Sequence, residues 1–356
     1  LGEQDIGDLE EIRRKVEGWL QKTLPDRGDL RISDLTFPKA SGESSVTLMM
    51  DASWSGGGSE KLVFRMAPPT SQVFEHHDLL MQFQMMSLMA AEGLPAPTLV
   101  GYESDTSIVG SDFYVMEFCE GQIPSDNPPF HATGWLKDDV SAAQRETMWR
   151  KGLEVVAAIH RIDLGRHDLR RLPRAAPGEW ILAQELRTFG SIFKPRLRSA
   201  IDPIVLEGWA LLESSVPTDA EPALCWGDSR VGNVIFRDFA PIAILDWEMA
   251  NVSDPRADLA WWFWIDRCNS EGLGLERLAG LPTAQEIYQQ WHELTGRSIE
   301  GIAWFELFAV VRYAIILELK FIAMRQANSD LGEIPNFTVQ FIPDLIAAVR
   351  RPMSRT

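Results

Sequence analysis

The sequence predicts an α+β fold of two lobes, a strand-rich N-terminal lobe followed by a larger, mainly helical C-terminal one. Three observations lead there. Apolar residues alternate at strand spacing through much of residues 35–118, and from about Ser141 they recur at helical spacing. Between the two regimes, at residues 116–122, a strand-like run gives way to Gly121 and a Pro- and Asn-containing connection. A chain of 356 residues has room for about two domains, and lobes of residues 1–118 and 119–356 are expected.

In order along the chain, Leu9, Ile12, Val16, Trp19 and Leu20 form one helical stripe over residues 9–24, and Pro25 helps close it. Leu35 and Phe37 precede the flexible Ser41-Gly42-Glu43-Ser44-Ser45. Val46, Leu48 and Met50 then alternate as a strand, Gly56-Gly57-Gly58 turns, and residues 61–66 return. A helix is expected over residues 75–91, with Met81, Met85, Met86 and Met89 as an adaptable core stripe. Pro95 and Pro97 end it, and residues 98–102 and 113–117 read as two further strands. In the second lobe, helices are expected from Ser141, over 180–193 and over 203–212. A small hairpin of residues 234–236 and 242–245 turns at Asp238, and the longest helix spans 305–325. No internal repeat is visible.

Composition narrows the function. Apolar residues at 45% and charged residues at 24% are ordinary for a globular protein and exclude a mainly disordered or fibrous chain. The 51 acidic against 34 basic residues give a net charge of −17, which repels phosphate backbones and argues against a nucleic-acid partner. A small anionic ligand held by local donors stays open. Cys119, Cys225 and Cys268 are too few and too far apart for a disulfide scaffold or a metal cluster, and they read as reduced fillers. No secretory signal is visible at the acidic N-terminus. No apolar run reaches about 18 residues, since Glu306, Arg312, Glu318 and Lys320 interrupt residues 305–322. A cytoplasmic protein without a membrane partner is expected.

The residues with chemical potential cluster in Trp226-Gly227-Asp228-Ser229-Arg230-Val231-Gly232-Asn233, followed by Ile244-Leu245-Asp246-Trp247-Glu248. Asn233 and Asp246 offer the hard oxygen ligands that Mg²⁺ takes alongside phosphate and water. Asp228 is placed to orient a substrate hydroxyl and receive its proton during phosphoryl transfer. The alternative is that both aspartates merely cap strand–turn units.

These segments resemble the aminoglycoside phosphotransferase and choline-kinase-like superfamily, which shares the protein-kinase fold. The chain looks most like bacterial phosphotransferases related to the kinase-like domains of acyl-CoA dehydrogenase proteins, over about residues 30–330. Gly227-Asp228 with Asn233 matches the His-Gly-Asp-x4-Asn segment of that family, and Asp246-Trp247-Glu248 matches its metal-binding segment. The resemblance implies a bilobal protein-kinase-like fold, ATP and Mg²⁺ as cofactors, Asp228 as catalytic base, and Asn233 and Asp246 as metal ligands.

It also implies a nucleotide site. Gly42 and Ser44 lie in the counterpart of the phosphate-covering loop, and Arg65 in Leu62-Val63-Phe64-Arg65 stands where protein kinases carry a phosphate-pairing lysine. Met116, Glu117 and Cys119 lie where the adenine would be held. Each has a plainer reading, as a hairpin turn, a solvent-facing strand arginine and a buried strand end. Asp254-Pro255-Arg256-Ala257-Asp258-Leu259-Ala260 matches the family's lobe-anchoring segment, which makes Asp258 a helix cap or a brace for the catalytic-loop backbone. His160 is a brace for the same loop or a local cap.

Two positions depart from the pattern. Gln82 stands where relatives carry the glutamate that pairs with the cation, unless Glu75 or Asp78 takes that part. Trp226 replaces the histidine before Gly-Asp, and an indole donates but cannot accept. The expected function is Mg-dependent transfer of the ATP γ-phosphoryl group to a hydroxyl of a small molecule. An aminoglycoside and a hydroxyacyl thioester both stay open as acceptor. The alternatives are a noncatalytic nucleotide-binding pseudokinase or interaction module, and a generic Mg-dependent hydrolase. Trp261, Trp262, Trp264, Trp291 and Trp304 line a substrate cavity or pack the helical core. Exposed faces of the C-terminal helices leave room for a homodimer.

Overall fold

The computed structural model describes residues 8–38, 45–67, 78–196, 201–328 and 334–351, with the backbone alone over 192–196. The chain divides into two compact units, Leu1–Glu120 and Gly121–Thr356. A sheet-rich unit and a helical unit make up the bilobal α+β architecture expected from the apolar spacing.

In the first unit, α1 (Leu9–Thr23) begins at Asp8, whose carboxylate accepts the Glu10 N–H, and it buries Ile12, Val16, Trp19 and Leu20. The strands β1 (Arg31–Ile32), β2 (Val46–Trp54) and β3 (Gly58–Met66) are followed by α2 (Leu79–Ala91), β4 (Leu99–Glu103) and β5 (Phe113–Glu117). They form one antiparallel sheet in the order β1-β2-β3-β5-β4. Leu48 lies opposite Phe64 and Met50 opposite Leu62, so one face of the central hairpin is continuous apolar surface packed with the buried stripe of α1.

The turn between β2 and β3 is shorter than the glycine cluster suggests. Gly56 and Gly57 take positive φ and make the turn, whereas Gly58 already pairs with Trp54. A Cβ at Gly58 would lie 2.3 Å from the Trp54 ring, so this glycine serves close packing rather than turning. Helix α2 is capped by Asp78, which accepts the Met81 N–H, and Met81, Met85, Met86 and Met89 are all buried. Residues 75–77 of the expected helix lie outside the described residues.

The second unit runs α3 (Trp135–Asp138), α4 (Ala142–Ile159), α5 (Ala183–Arg196), α6 (Pro203–Ser214) and β6 (Ala223–Cys225). Next come β7 (Val234–Arg237), β8 (Ala240–Ile244), β9 (Asn251–Ser253), α7 (Arg256–Asn269), α8 (Ala284–Thr295), α9 (Ile302–Ala327) and α10 (Ile342–Arg350). Ser141 and Gln144 form a reciprocal capping box at the start of α4. The hairpin of β7 and β8 turns through Asp238 and Phe239 at φ 52° and 60°, the left-handed pair that a tight hairpin turn needs.

Helix α9 packs against α6, α7 and α10. It is apolar on almost every side, and the charged Arg312 is nevertheless fully buried within it. None of the three cysteines is in a disulfide. Cys225 and Cys268 are buried, with burial pushing both thiols up, and Cys119 is half-buried. No described helix is long and apolar enough to cross a membrane.

Candidate active site

The loop after β6 carries the candidate catalytic residue. Gly227 has φ 88°, and a Cβ there would stand 2.0 Å from the Met249 carbonyl oxygen, so only glycine lets the chain pass at this point. Asp228 follows with both carboxylate oxygens engaged. Oδ1 accepts the Trp261 indole N–H at 2.7 Å, and Oδ2 accepts from Arg230 Nε at 2.9 Å and Asn233 Nδ2 at 2.7 Å. Burial pushes this carboxyl up, but the Arg230 charge and the bonds from Arg230, Trp261 and Asn233 outweigh it and hold the group below the usual carboxylate range. Arg230 also pairs with Asp126 through Nη1.

The loop backbone is tied down by Asp258, in the first turn of α7. Its carboxylate accepts the Trp226 N–H at 2.6 Å and the Gly227 N–H at 2.9 Å, and its own carbonyl accepts the Ser229 hydroxyl at 2.7 Å. His160 lies 3.2 Å from Asp258 through Nε2, while its Nδ1 accepts the Trp291 indole at 2.9 Å. That acceptor role places the proton on Nε2, so His160 donates to Asp258 and braces the loop at one remove.

His160, Cys225 and Asp258 lie close enough together to resemble a metal cluster. Both imidazole nitrogens and both carboxylate oxygens are already committed to hydrogen bonds, and burial holds the Cys225 thiol protonated. Within this trio, His160 and Asp258 brace the loop, and Cys225 is a buried neighbour.

Asn233 ends a 3₁₀ turn, Val231–Asn233, and its carbonyl accepts the Leu245 N–H at 2.9 Å, which brings Asp246 next to it in the fold. Its side-chain nitrogen is spent on the Asp228 carbonyl and carboxylate. Oδ1 is therefore the atom left to ligate. Asp246 sits at φ 62°, a left-handed conformation that a non-glycine residue adopts at a cost, and such positions concentrate at working sites. An amide oxygen beside a carboxylate is a donor set that suits Mg²⁺.

Trp226, the residue that departs from the family's histidine, shares its indole N–H between the carbonyls of Leu245 at 3.0 Å and Asp246 at 3.1 Å. Its ring packs 5.8 Å from that of Trp247. Donation alone is what this position needs. Trp226→Phe is expected to cost about 1–2 kcal/mol of stability, since a buried donor to two carbonyls is lost; a urea midpoint unchanged from wild type would contradict that role.

Of the nucleotide-site candidates, Gly42 and Ser44 lie outside the described residues. Arg65 is buried on β3, with its guanidinium donating to the Ser45 hydroxyl, at 2.9 Å from Nε. Gln82 is buried on α2, and its Oε1 has no hydrogen-bond partner among the described residues. Met116 is buried in β5, and Glu117 ends that strand. The N–H groups of Glu117 and Phe118 already donate to Thr98 and Lys61, so neither is available to a ligand. Cys119 follows, half-buried.

The five tryptophans considered as cavity lining are all buried. Trp262, Trp264 and Trp304 pack the core, and Trp291 serves His160. Trp261, expected to line a cavity or pack the core, instead donates to Asp228, a role that Asp258 three residues earlier on the same helical face could have suggested. The Asp126 and Arg312 contacts to this loop were likewise missed. The one available signal was Arg312 itself, a charge inside an otherwise apolar helix.

Comparison with known proteins bears on the family and the fold. The profile of the phosphotransferase enzyme family (APH) matches residues 51–294. Acyl-CoA dehydrogenase family member 11 of Rattus norvegicus is 28% identical over 285 residues, 77% of this chain and 34% of the relative. Acyl-CoA dehydrogenase family member 10 of Mus musculus is 29% identical over 269 residues, 72% of this chain and 24% of the relative. The chain thus spans at most about a third of these relatives. Among solved structures, an aminoglycoside-phosphotransferase-like protein of Ralstonia eutropha superposes with a TM-score of 0.68 at 20% identity, covering 94% of this chain and 95% of the other. Aminoglycoside 2′-phosphotransferase-IIIa in its GDP complex gives 0.57 at 15% identity, covering 95% and 98%. At such identities the structural likeness speaks to the fold alone.

Proposed function

Because the chain belongs to the phosphotransferase enzyme family (APH), we propose that it transfers the γ-phosphoryl group of ATP to a hydroxyl of a small molecule, with Mg²⁺ as the required cation. The observation that carries this reading is the three-point hold on Asp228, from Trp261, Arg230 and Asn233, with Asn233 joined through Leu245 to the segment bearing Asp246.

In this reading Asp228 accepts a hydrogen bond from the acceptor hydroxyl and aims its oxygen at the γ-phosphorus. As the new P–O bond forms, the bond to the β-phosphate oxygen breaks, ADP departs, and the hydroxyl proton passes to Asp228. A carboxylate held below its usual range is a weak base, which suits a loose transition state in which the proton leaves late. Asn233 Oδ1 and the Asp246 carboxylate would hold Mg²⁺, which when bound offsets phosphate charge. Arg65 is the proposed cation for the nucleotide phosphates, through the fork geometry that arginine offers them.

The names of the relatives point the acceptor toward acyl-CoA metabolism, and a hydroxyacyl thioester is the proposed class. A noncatalytic reading draws support from Gln82, which cannot neutralise a cation. The departure at Trp226 adds nothing to that reading, since the indole makes contacts that brace the Asp246 segment.

The test begins with calorimetric titration of the metal-free protein with ATP, with and without Mg²⁺. ADP formation is then followed across hydroxyacyl-CoA, aminoglycoside and sugar acceptors. Binding strengthened by Mg²⁺ with acceptor-dependent ADP supports the proposal. Mg·ATP binding with no acceptor-dependent ADP favours the noncatalytic module, and ATP consumption independent of any acceptor favours a hydrolase.

A further inference from the structure

Beneath the 226–230 loop lies a cation that neither the fold nor the proposed chemistry has yet used. Arg312, 1% exposed in the middle of α9, donates from Nη1 to Glu185 Oε2 at 3.3 Å and from Nη2 to the Gly227 carbonyl at 3.2 Å. Its guanidinium carbon stands 3.9 Å from the centre of the Trp261 ring. Trp261 in turn puts its N–H 2.7 Å from Asp228 Oδ1. Glu185 comes from α5, Arg312 from α9 and Trp261 from α7, so three helices converge on one carboxylate.

A purely structural role accounts poorly for this. A buried ion pair is seldom more stabilising than apolar residues of the same volume, and a leucine or methionine at 312 would suit the rest of α9. An aliphatic side chain could not hold the Gly227 carbonyl, nor present a flat cation to the indole face. The Arg312 charge is also ringed by acids of the loop and its brace, Asp228 and Asp258 besides Glu185.

We propose that Arg312 and Trp261 form a positioning unit for Asp228. Arg312, anchored by Glu185, fixes the Gly227 carbonyl and the plane of the indole, and the indole N–H fixes the carboxylate in one orientation toward the acceptor. Neither residue touches the reacting atoms. The inference rests on the reading of Asp228 as the group that aims the acceptor, and it extends the machinery from the loop into α5 and α9.

The test uses protein labelled with ¹⁵N in the indoles of its 13 tryptophans. The Trp261 signal is identified as the one lost in Trp261→Phe. It is expected far downfield, displaced by both Asp228→Asn and Arg312→Lys, with indole hydrogen exchange at least about tenfold faster in Arg312→Lys. Glu185→Gln, which leaves Arg312 in place without its charged anchor, is expected to displace the same signal and stands in should Arg312→Lys fail to fold.

With Mg·ATP and whichever acceptor of the screen supports ADP formation, Trp261→Phe is expected to lower kcat about tenfold and leave KM for ATP within about twofold. Adding Arg312→Lys to Trp261→Phe should cost less than the product of the single losses, because both act on one carboxylate. A Trp261 signal indifferent to Asp228→Asn and to Arg312→Lys overturns the proposal, as do losses that multiply. A wild-type protein with no acceptor-dependent ADP formation across the screen overturns the phosphotransfer reading instead, and the indole spectra still decide whether the positioning unit exists.

Discussion

Asp228→Asn is expected to lower acceptor-dependent turnover by about 10³-fold or more while the protein stays folded and still binds ATP. The substitution is nearly isosteric, yet it meets donors on every side. Trp261, Arg230 and Asn233 all direct N–H groups at the carboxylate. An amide supplies one acceptor oxygen and turns a second N–H toward at least one of those donors. The cost to folding is about 1–3 kcal/mol, one buried donor left unsatisfied. That is less than the roughly 4 kcal/mol implied by a 10³-fold rate loss. Activity should therefore collapse well before stability does, as ADP release measured beside a thermal melt will show. A variant that keeps a tenth of wild-type turnover would remove Asp228 from the chemistry.

Asp258→Ala is expected to act in the opposite sense, on stability first. The side chain accepts two backbone N–H groups, from Trp226 and Gly227, and a third hydrogen bond from His160, all in surroundings closed to water. Truncation strands those donors together, and each buried orphan costs about 1–3 kcal/mol. A combined loss of about 3–5 kcal/mol is a large part of the 5–15 kcal/mol typical of a folded domain. Urea denaturation monitored by tryptophan fluorescence should show the midpoint falling accordingly. Asp258→Asn, which keeps one acceptor oxygen, should fall between the two. An unchanged midpoint in Asp258→Ala would mean that the loop is held by something else.

How much of this was legible from the chain depends on how local each signal is. Asp228, Asn233 and Asp246 stand within 19 residues of one another in a short strand–turn pattern, and the role of Asp258 could be anticipated from its motif. The hairpin of β7 and β8 was legible for the same reason. Contacts between distant residues were not. Arg230 meets Asp126 across 104 positions and Arg312 meets Glu185 across 127, and no periodicity couples such pairs. Trp261 was obscured by its neighbours, because in a helix also bearing Trp262 and Trp264 an indole reads as packing. Gly58 failed differently: the cluster of three glycines signals a turn, and only the ring of Trp54 reveals that the third is there for want of a side chain.

The three cysteines give the molecule a built-in clock for its own opening. Two thiols are sealed and held protonated, Cys225 beneath the 226–230 loop and Cys268 near the end of α7, while Cys119 is half-buried at the close of the first unit. A maleimide attacks only an accessible thiolate. Cys119 should therefore take label within the native state, and the other two only when the second unit opens. Intact-mass spectra sampled over time would show a prompt single adduct and then a slow further rise. The slow rate reports how often the segment bearing Asp228 comes apart, without a substrate, a nucleotide or an assay for activity.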